Sequence, residues 1–550
     1  MSILHAGFGS SGGYQISNSV RLRAAASAYL SRTPAAGNRK TWTLSLWVKR
    51  SAMANGQLFA AYVDGTNYTY AAFESDALRW SDTDAGANTT YLVTTQLFRD
   101  PSAWYHLLFV QDTSTASGQT ADNRRRIYVN GAQVTSFSSR TNPAADYEGH
   151  WNKAVLHKLG VGIATYFDGY FAKNEAIEGF KTGTTTANAS DFGETNSDDV
   201  WVPKAYTGTY GTNGFHLDFK DAALTAGSNV GLGKDVSGNG NYWTTNNISV
   251  TAGVTYDSMV DTPTNNYATL NPLLYMGSGS TKADGNLRFV GGGAGGPPYN
   301  YSIHGTMVQS SGKYYWETTI TTVGGNAFVG MWDTSVAFSG SSPIGGAGPV
   351  AYGDNGNYYN QTAGVAFGNT FTSSDVIGVA VDFNNNLIWF SKNGTWQNSG
   401  DPAAGTNGKS FGSGKSWGVG YVESGSSVSP STFNQTFGQR PFTYTPPTGF
   451  KALCTANLQP PVAPTASGSF TGNAAADGPF VWIGGVPTTL TINSNAVTFG
   501  THADKTAGGF KLRTASASYN NTGSNTWSAT FASPSTKSAF AVPQTAQGNP

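Results

Sequence analysis

Residues 376–394 read VIGVAVDFNNNLIWFSKNG. Apolar residues at every second position call for a strand with one face in a core, because successive side chains of an extended chain point to opposite sides. Ile377, Val379, Val381 and Phe383 share one face, as do Leu387 and Trp389 across Asn384–Asn386. Asn393-Gly394 then closes the second strand with a dipeptide that tolerates positive φ. The expectation is a hairpin that buries one side and presents its turn outward. RRRIYVNG at Arg124–Gly131 is a shorter version, and INSNAVTF near the end is a third.

The rest of the chain keeps this period. Few segments have the i, i+3, i+4 apolar spacing of a helix, and the fold class expected is all-β: two antiparallel sandwiches and a small C-terminal β domain. Composition agrees, with 69 Gly, 13% aromatic residues and only 12% charged residues among 550. That is about half the usual share of charge. Thirty-two basic residues balance thirty-two acidic ones, so no basic stripe favours nucleic acid. No apolar run approaches the ~20 residues of a membrane span. The single cysteine, Cys454, excludes a disulfide framework and a Cys-based metal site. The start, MSILHAGFGSSGG, lacks a basic region followed by an apolar stretch, so no signal peptide is expected.

Six segments are expected. Residues 1–18 form an extended attachment segment, 19–230 a first sandwich, 231–255 a polar connector, 256–458 a second sandwich, 459–469 a linker and 470–550 a C-terminal β domain. In the first sandwich WTLSLWVKR puts Trp42, Leu44, Leu46 and Val48 on one face and Trp47 on the other. A polar, irregular stretch is expected from Lys173 to about Val200.

Four phrases in order, WTLSLWVKR, WYHLLFVQD, RRRIYVNG and YFDGYFA, resemble a laminin G-like, concanavalin A-like jelly roll. GKYYWETTI, AFVGMWD and the 376–394 hairpin resemble a SPRY domain, also a bent sandwich. Together with DFGETN, DVSGNGNYW, DSMVDTPTNNY and DGPFVWIGG, the set resembles tailed-phage fibre or tail proteins. That resemblance implies a virion structural protein of the tail, synthesised in the host cytoplasm and released by lysis. It implies partners among other virion tail proteins and a host cell-surface glycan or protein, and a homo-oligomer, since fibres are commonly trimers. Two alternatives stay open: a polysaccharide-degrading tailspike enzyme, and a capsid-attached or purely structural fibre.

The residues offer little catalytic chemistry, and no enzyme is expected. The seven histidines include no HExxH spacing. No Glu-x-Asp-x-x-Glu aligns two carboxylates on one strand face, as glycoside hydrolysis on such a sheet would use, and Glu317 follows Trp316 in what reads as a structural strand. The GKS triplets at Gly408–Ser410 and Gly414–Ser416 lack the earlier glycine of a phosphate loop. No cofactor is expected. A structural calcium is one reading of Asp235, Asn239 and Asn241, and of DTDAG at Asp82–Gly86, where Val93 replaces the bidentate Glu; Asx-turn chemistry is the other. A recognition site is a further reading. AYGDNGNYYN places Tyr352, Asp354, Asn355, Tyr358 and Tyr359 in an apparent loop, with Trp396 just past Asn393-Gly394. Aromatic faces with convergent amides suit a glycan, and packing on the sandwich edge is the competing use of the same rings.

Overall fold

The 376–394 hairpin forms, in a different register from the one expected. In the computed structural model, strand Val376–Asp382 pairs with Leu387–Lys392 so that Val381 faces Ile388 and Ala380 faces Trp389. Directly opposed residues share a face. Ile377, Val379, Val381 and Phe383 therefore meet Ile388 and Phe390 in the core, while Leu387 and Trp389 lie on the outer side with Tyr315 and Phe450. Both faces are covered, not one. At the turn the Asp382 carboxylate accepts from the backbone N–H groups of Asn384 and Asn385, and Asn386 takes a positive φ.

The structure describes residues 13–458 apart from 164, 198, 278, 293–300, 338–347, 362 and 426–428, together with strand backbone between 465 and 542. Most of the expected attachment segment, 1–12, and the linker residues 459–464 lie outside the described residues. Contacts divide the chain into two units, 1–458 and 459–550. Among the described residues the only helical pieces are five 3-10 turns, and no helix is long and apolar enough to cross a membrane.

The first unit holds four large antiparallel sheets in two sandwiches. In the first sandwich, strand Thr41–Arg50 sits between Trp104–Asp112 and Gly169–Glu178. The facing sheet runs through Ala87–Leu97, Ala77–Asp84, Asn67–Glu74 and Gly56–Asp64 to Leu156–Leu159 and Tyr29–Arg32. Trp42, Leu44, Leu46 and Val48 enter the core as the alternation demands, and Trp47 packs on the opposite side. All ten residues of this strand are buried.

Two expectations about this region are corrected. Only the start of the polar stretch, 173–178, continues strand Gly169–Glu178, through a bulge between Ala172 and Glu175; beyond it the chain is mostly irregular to residue 200, as expected. Lys173, with φ 44°, pairs there with Glu175 at 2.9 Å, both side chains buried. Opposite charge on adjacent turns of a bulge lets polar residues occupy a central strand. Residues 231–255 are not a free connector either. Leu232, Trp243 and Ile248 join the first core, and Thr244–Asn246 extends its sheet beside Tyr29–Arg32.

Residues 257–287 join the two sandwiches. Ser258–Met259 pairs with Ser19–Leu22 of the first sheet. Asp257 accepts from Arg21 and Arg23 at 2.9 Å. Asp261 takes Lys49 at 2.8 Å, the Trp104 indole N–H at 3.2 Å and the Tyr267 backbone N–H at 3.1 Å. Gly285 links the two sandwiches in both directions, donating to Asp168 and accepting from the Tyr170 hydroxyl. The phrase DSMVDTPTNNY is thus a joint made of paired buried charge.

In the second sandwich one sheet runs through Leu270–Met276, Tyr301–Gly305, Trp417–Ser424, Ala327–Asp333, Pro349–Gly353 and Asn357–Asn360. The other runs through Arg288–Val290, Thr432–Thr436, Lys313–Thr322, Val376–Asp382 and Leu387–Lys392. Trp316, Val329, Met331, Val350 and Phe433 fill the space between them.

The second unit contains two four-stranded antiparallel sheets. Its first strand, Thr465–Gly472, takes up residues expected in the linker. Pro487–Ile492 turns back on Asn495–Ala496, which gives the expected third hairpin.

Candidate functional site

The two Asn-Gly pairs that end the 124–131 and 376–394 segments take positive φ at both residues, 47° and 83° at Asn130-Gly131 and 49° and 79° at Asn393-Gly394. This is the type I′ geometry that matches strand twist. The Asn130 side chain accepts from the His106 backbone N–H, and Asn393 accepts from Val376 while donating to Asp375. A Cβ at Gly131 would lie 2.5 Å from the Trp201 ring, and one at Gly394 would lie 2.6 Å from Tyr444. Each turn is therefore the seat of an aromatic ring brought from elsewhere in the chain, and neither is a free surface loop.

The residues expected in a recognition loop separate. AYGDNGNYYN forms strands Pro349–Gly353 and Asn357–Asn360 around a turn at 354–356. Tyr352 and Tyr358 point between the sheets, packed on Phe367 and Phe390. Their hydroxyls donate to the carbonyls of Asn369 and Ser410. These two rings are core, because the strand period puts 352 and 358 in the inward phase. Tyr359 is half-buried on the outer face of its sheet against Phe328. Asn355, exposed in the turn, donates to the Tyr359 hydroxyl at 2.9 Å. Beside it, burial pushes the Asp354 carboxyl up from its ordinary value. Trp396 packs with Tyr315 and Phe442 on the outer face of the other sheet. Tyr359 and Trp396 thus sit on opposite sides of the sandwich, and the six residues do not converge.

The candidate metal ligands are also engaged. Asp82 is buried in an ion pair with Arg125, whose guanidinium lies 4.4 Å from the Trp80 ring. Asp235 accepts from the backbone N–H of His216, Ser237 and Asn241 and from the Ser237 hydroxyl. Asn239 and Asn241 donate their amides to the carbonyls of Gly211, Thr212 and Gly214. Asx-turn chemistry therefore accounts for DVSGNGN, and among the described residues no cluster of three His, Cys, Asp or Glu could hold a metal. Glu317 accepts from the Tyr315 hydroxyl and the N–H groups of Thr443 and Tyr444. His106 lies between Trp47 and Trp201, accepts from the Trp201 indole and is hydrogen-bonded to Ser45. Burial pushes its pKa down to about 3, so it stays neutral and structural.

A different surface gathers side chains suited to recognition. On the outer face of the first sandwich, Tyr62 stands directly opposite Tyr68 on the neighbouring strand. Tyr68 lies 5.8 Å from Tyr70. The Arg79 guanidinium sits 5.8 Å from the Tyr70 ring and 5.7 Å from Tyr91, and Lys158 covers Tyr62 at 4.8 Å. Glu74 orders the group by accepting from the Tyr70 hydroxyl at 3.0 Å and pairing with Arg79 at 3.5 Å. Burial, followed by the charge of Glu74, raises the Tyr70 phenol above its ordinary value. Hydrogen bonds from Thr141 and then Ser139 lower Tyr91. Tyr62, Tyr68, Arg79 and Tyr91 are all partly open to solvent. The sequence carries a signal for this face. Tyr62, Tyr68 and Tyr70 stand in the phase opposite to the core residues Phe59, Ala61, Ala71 and Phe73.

The description "Concanavalin A-like lectin/glucanases superfamily" fits residues 24–174, and "SPRY domain" fits residues 313–401. The chain carries a laminin G-like domain and a SPRY domain. Ninety residues are 37% identical to the "Ran-binding proteins 9/10 homolog" of Drosophila melanogaster. They cover 16% of this chain and only 9% of that relative. Similar solved structures include the SPRY domain of human HERC1, at 17% identity and TM-score 0.21, over 30% of this chain and 96% of that one. A SAP-like pentraxin from Limulus polyphemus matches at 12% identity and TM-score 0.24, over 36% and 95%. The tyrosine face lies within the laminin G-like domain, and the expected loop residues lie within the SPRY domain.

Proposed function

We propose that this chain is a non-enzymatic virion protein of a tailed phage, a tail or tail-fibre component that attaches to the host surface by binding a glycan. The observation that carries the recognition reading is the Tyr62–Tyr68–Tyr70–Tyr91 face with Arg79, Lys158 and Glu74 around it. Sugar rings stack their C–H faces on aromatic rings while their hydroxyls take hydrogen bonds from neighbouring polar groups. A flat sheet presenting several such rings in a row suits a run of sugar units better than one buried monosaccharide. The ordered set of phrases from WTLSLWVKR to DGPFVWIGG supports the phage assignment.

The test is binding of the purified full chain to bacterial lipopolysaccharide and capsular polysaccharide, with competition against virion adsorption. Replacing Tyr62 and Tyr68 with Ser should weaken binding about fivefold per ring removed, from about 1 kcal/mol of aromatic contact each. Unchanged binding by the double variant would sink the site. Release of reducing ends from the polysaccharide would favour the tailspike enzyme instead. Failure to bind any host polysaccharide or to compete with virions would leave a purely structural or capsid-attached fibre.

A further inference from the structure

We propose that the chain cross-links itself: the Lys49 amine condenses with the Asn266 side-chain amide, releasing ammonia and leaving an isopeptide bond. The inference is independent of glycan binding. It starts from the alternation in WTLSLWVKR, which puts Lys49 on the outer side of the central strand with Trp47. There Lys49 stands directly opposite Trp104 on one neighbouring strand and Tyr170 on the other. Met259 and Leu287 belong to the same apolar cluster as these rings. Lys49 and Asp261 are both fully buried beneath it.

The Lys49 Nζ donates to Asp261 Oδ2 at 2.8 Å, to Asn266 Oδ1 at 2.7 Å and to the Tyr267 carbonyl at 3.0 Å. A carbonyl bond is about 1.23 Å long, so Nζ lies within about 4 Å of the Asn266 acyl carbon. Reactive contacts are about 3–3.5 Å, so a small shift of the amine brings attack within range. The Asn266 amide is itself held, because its Nδ2 donates to the Ser102 carbonyl at 2.8 Å. These acceptors satisfy an ammonium, and they also gather a nucleophile, a proton acceptor and an acyl carbon in one dry place. Asn266 is only partly buried, which leaves the departing ammonia a way out.

Until the bond closes, Lys49 and Asp261 form the ion pair described above. A proton then moves from Nζ to Oδ2. Burial makes the neutral amine and acid reachable, because neither ion has water around it. The Nζ lone pair attacks the Asn266 acyl carbon, forming the C–N bond while the carbonyl electrons move to Oδ1. Asp261 gives its proton to Nδ2 and takes one from Nζ. The carbonyl re-forms, the bond from the acyl carbon to Nδ2 breaks, and ammonia leaves. A neutral amide and a neutral acid replace the buried ion pair, and loss of ammonia to solvent makes the step one-way. The bond closes a span of 217 positions, from the central strand to the segment that joins the two sandwiches.

Tryptic mapping by tandem mass spectrometry tests this on the full chain, fresh and after days at mildly alkaline pH. The expected product is Thr41–Arg50 joined to Asp235–Lys282, lighter than their sum by one ammonia and uncut after Lys49. Recovery of the two peptides unlinked from the aged chain would overturn the proposal. So would an ammonia lost from Asp235–Lys282 alone, which marks a cyclic imide at Asn266 instead. Asn266→Ala keeps the Lys49–Asp261 pair and should yield no linked peptide; a Lys49 cross-link in that variant would overturn Asn266 as the acceptor. Asp261→Asn, in the fraction that folds, should slow linking about a hundredfold or more. Linking at the native rate would remove Asp261 from the reaction.

Discussion

The two sandwiches of the first unit cover the outer faces of their central sheets with different shares of buried charge. In the laminin G-like domain buried ion pairs stand among the covering rings: Lys49 with Asp261, Arg21 with Asp257, and Lys173 with Glu175, all with side chains at most 2% exposed. In the SPRY domain the covering layer is aromatic, with Trp389, Tyr315 and Phe450 on one side and Phe328, Trp332 and Tyr421 on the other. One of its buried carboxyls, Glu423, is bonded to the Tyr421 hydroxyl, and burial pushes its pKa up to about 8. Near neutral pH these three pairs of the first domain are charged, whereas Glu423 of the second is mostly protonated. A sheet face accepts either solution provided no ion is left alone.

Breaking a pair should therefore do the most damage. Asp261→Ala strands the Lys49 ammonium together with the Trp104 and Tyr267 N–H groups. A loss of about 3–5 kcal/mol is expected in urea titration. A loss below about 1 kcal/mol would show that water reaches the joint and that the contrast between the domains is overstated.

The pH response should split the domains next. His106 and His157 in the first domain are held by burial at about 3, below the ordinary 6.5. The unfolded chain binds those protons first, so stability is full above about 6.5 and falls as pH drops toward 3. The slope is roughly 1.4 kcal/mol per pH unit for each group. Glu423 runs the other way. Its raised value favours the protonated folded form, so its contribution is full below the ordinary carboxylate value and is lost as pH rises toward about 8. Hydrogen exchange followed by peptide should show strand Trp104–Asp112 opening in acid and strand Trp417–Ser424 opening toward pH 8. Glu423→Gln should flatten the second profile. The same slope in both strands would end the distinction.

The smallest effect concerns a polar handle on a buried ring. Tyr352→Phe removes the hydroxyl that donates to Asn369 and should cost about 1 kcal/mol in the same titration. A much larger cost, with loss of glycan binding, would restore Tyr352 to a recognition role.

Alternation told which side chains share a face, and the inward sets around Trp42 and Ile377 follow from it directly. It could not tell whether the other face meets water. The covering partners come from far along the chain: Arg21 and Asp257 are 236 positions apart, Lys49 and Asp261 are 212 apart. Local pattern holds no record of such pairs. The same limit misplaced Tyr352 and Tyr358. The Asp, Asn and Gly residues between them mark a turn of only three residues, 354–356, and the flanking tyrosines belong to strands. The tyrosine face of the first domain has the same period of two, in the phase opposite to Phe59, Ala61, Ala71 and Phe73 of the core.

The two ring-covered Asn-Gly turns bear on chemical ageing. An asparagine followed by glycine is prone to deamidation, because the next backbone nitrogen can attack the side-chain carbonyl with little obstruction. Here Asn130 and Asn393 have their side chains tied to backbone N–H groups, and Trp201 and Tyr444 lie over the following glycines. The attacking geometry is closed off while the fold holds. Peptide mapping after weeks at mildly alkaline pH should find Asn130 and Asn393 unmodified in the folded chain and deamidated in the denatured one. Equal rates in the two states would remove this protective role.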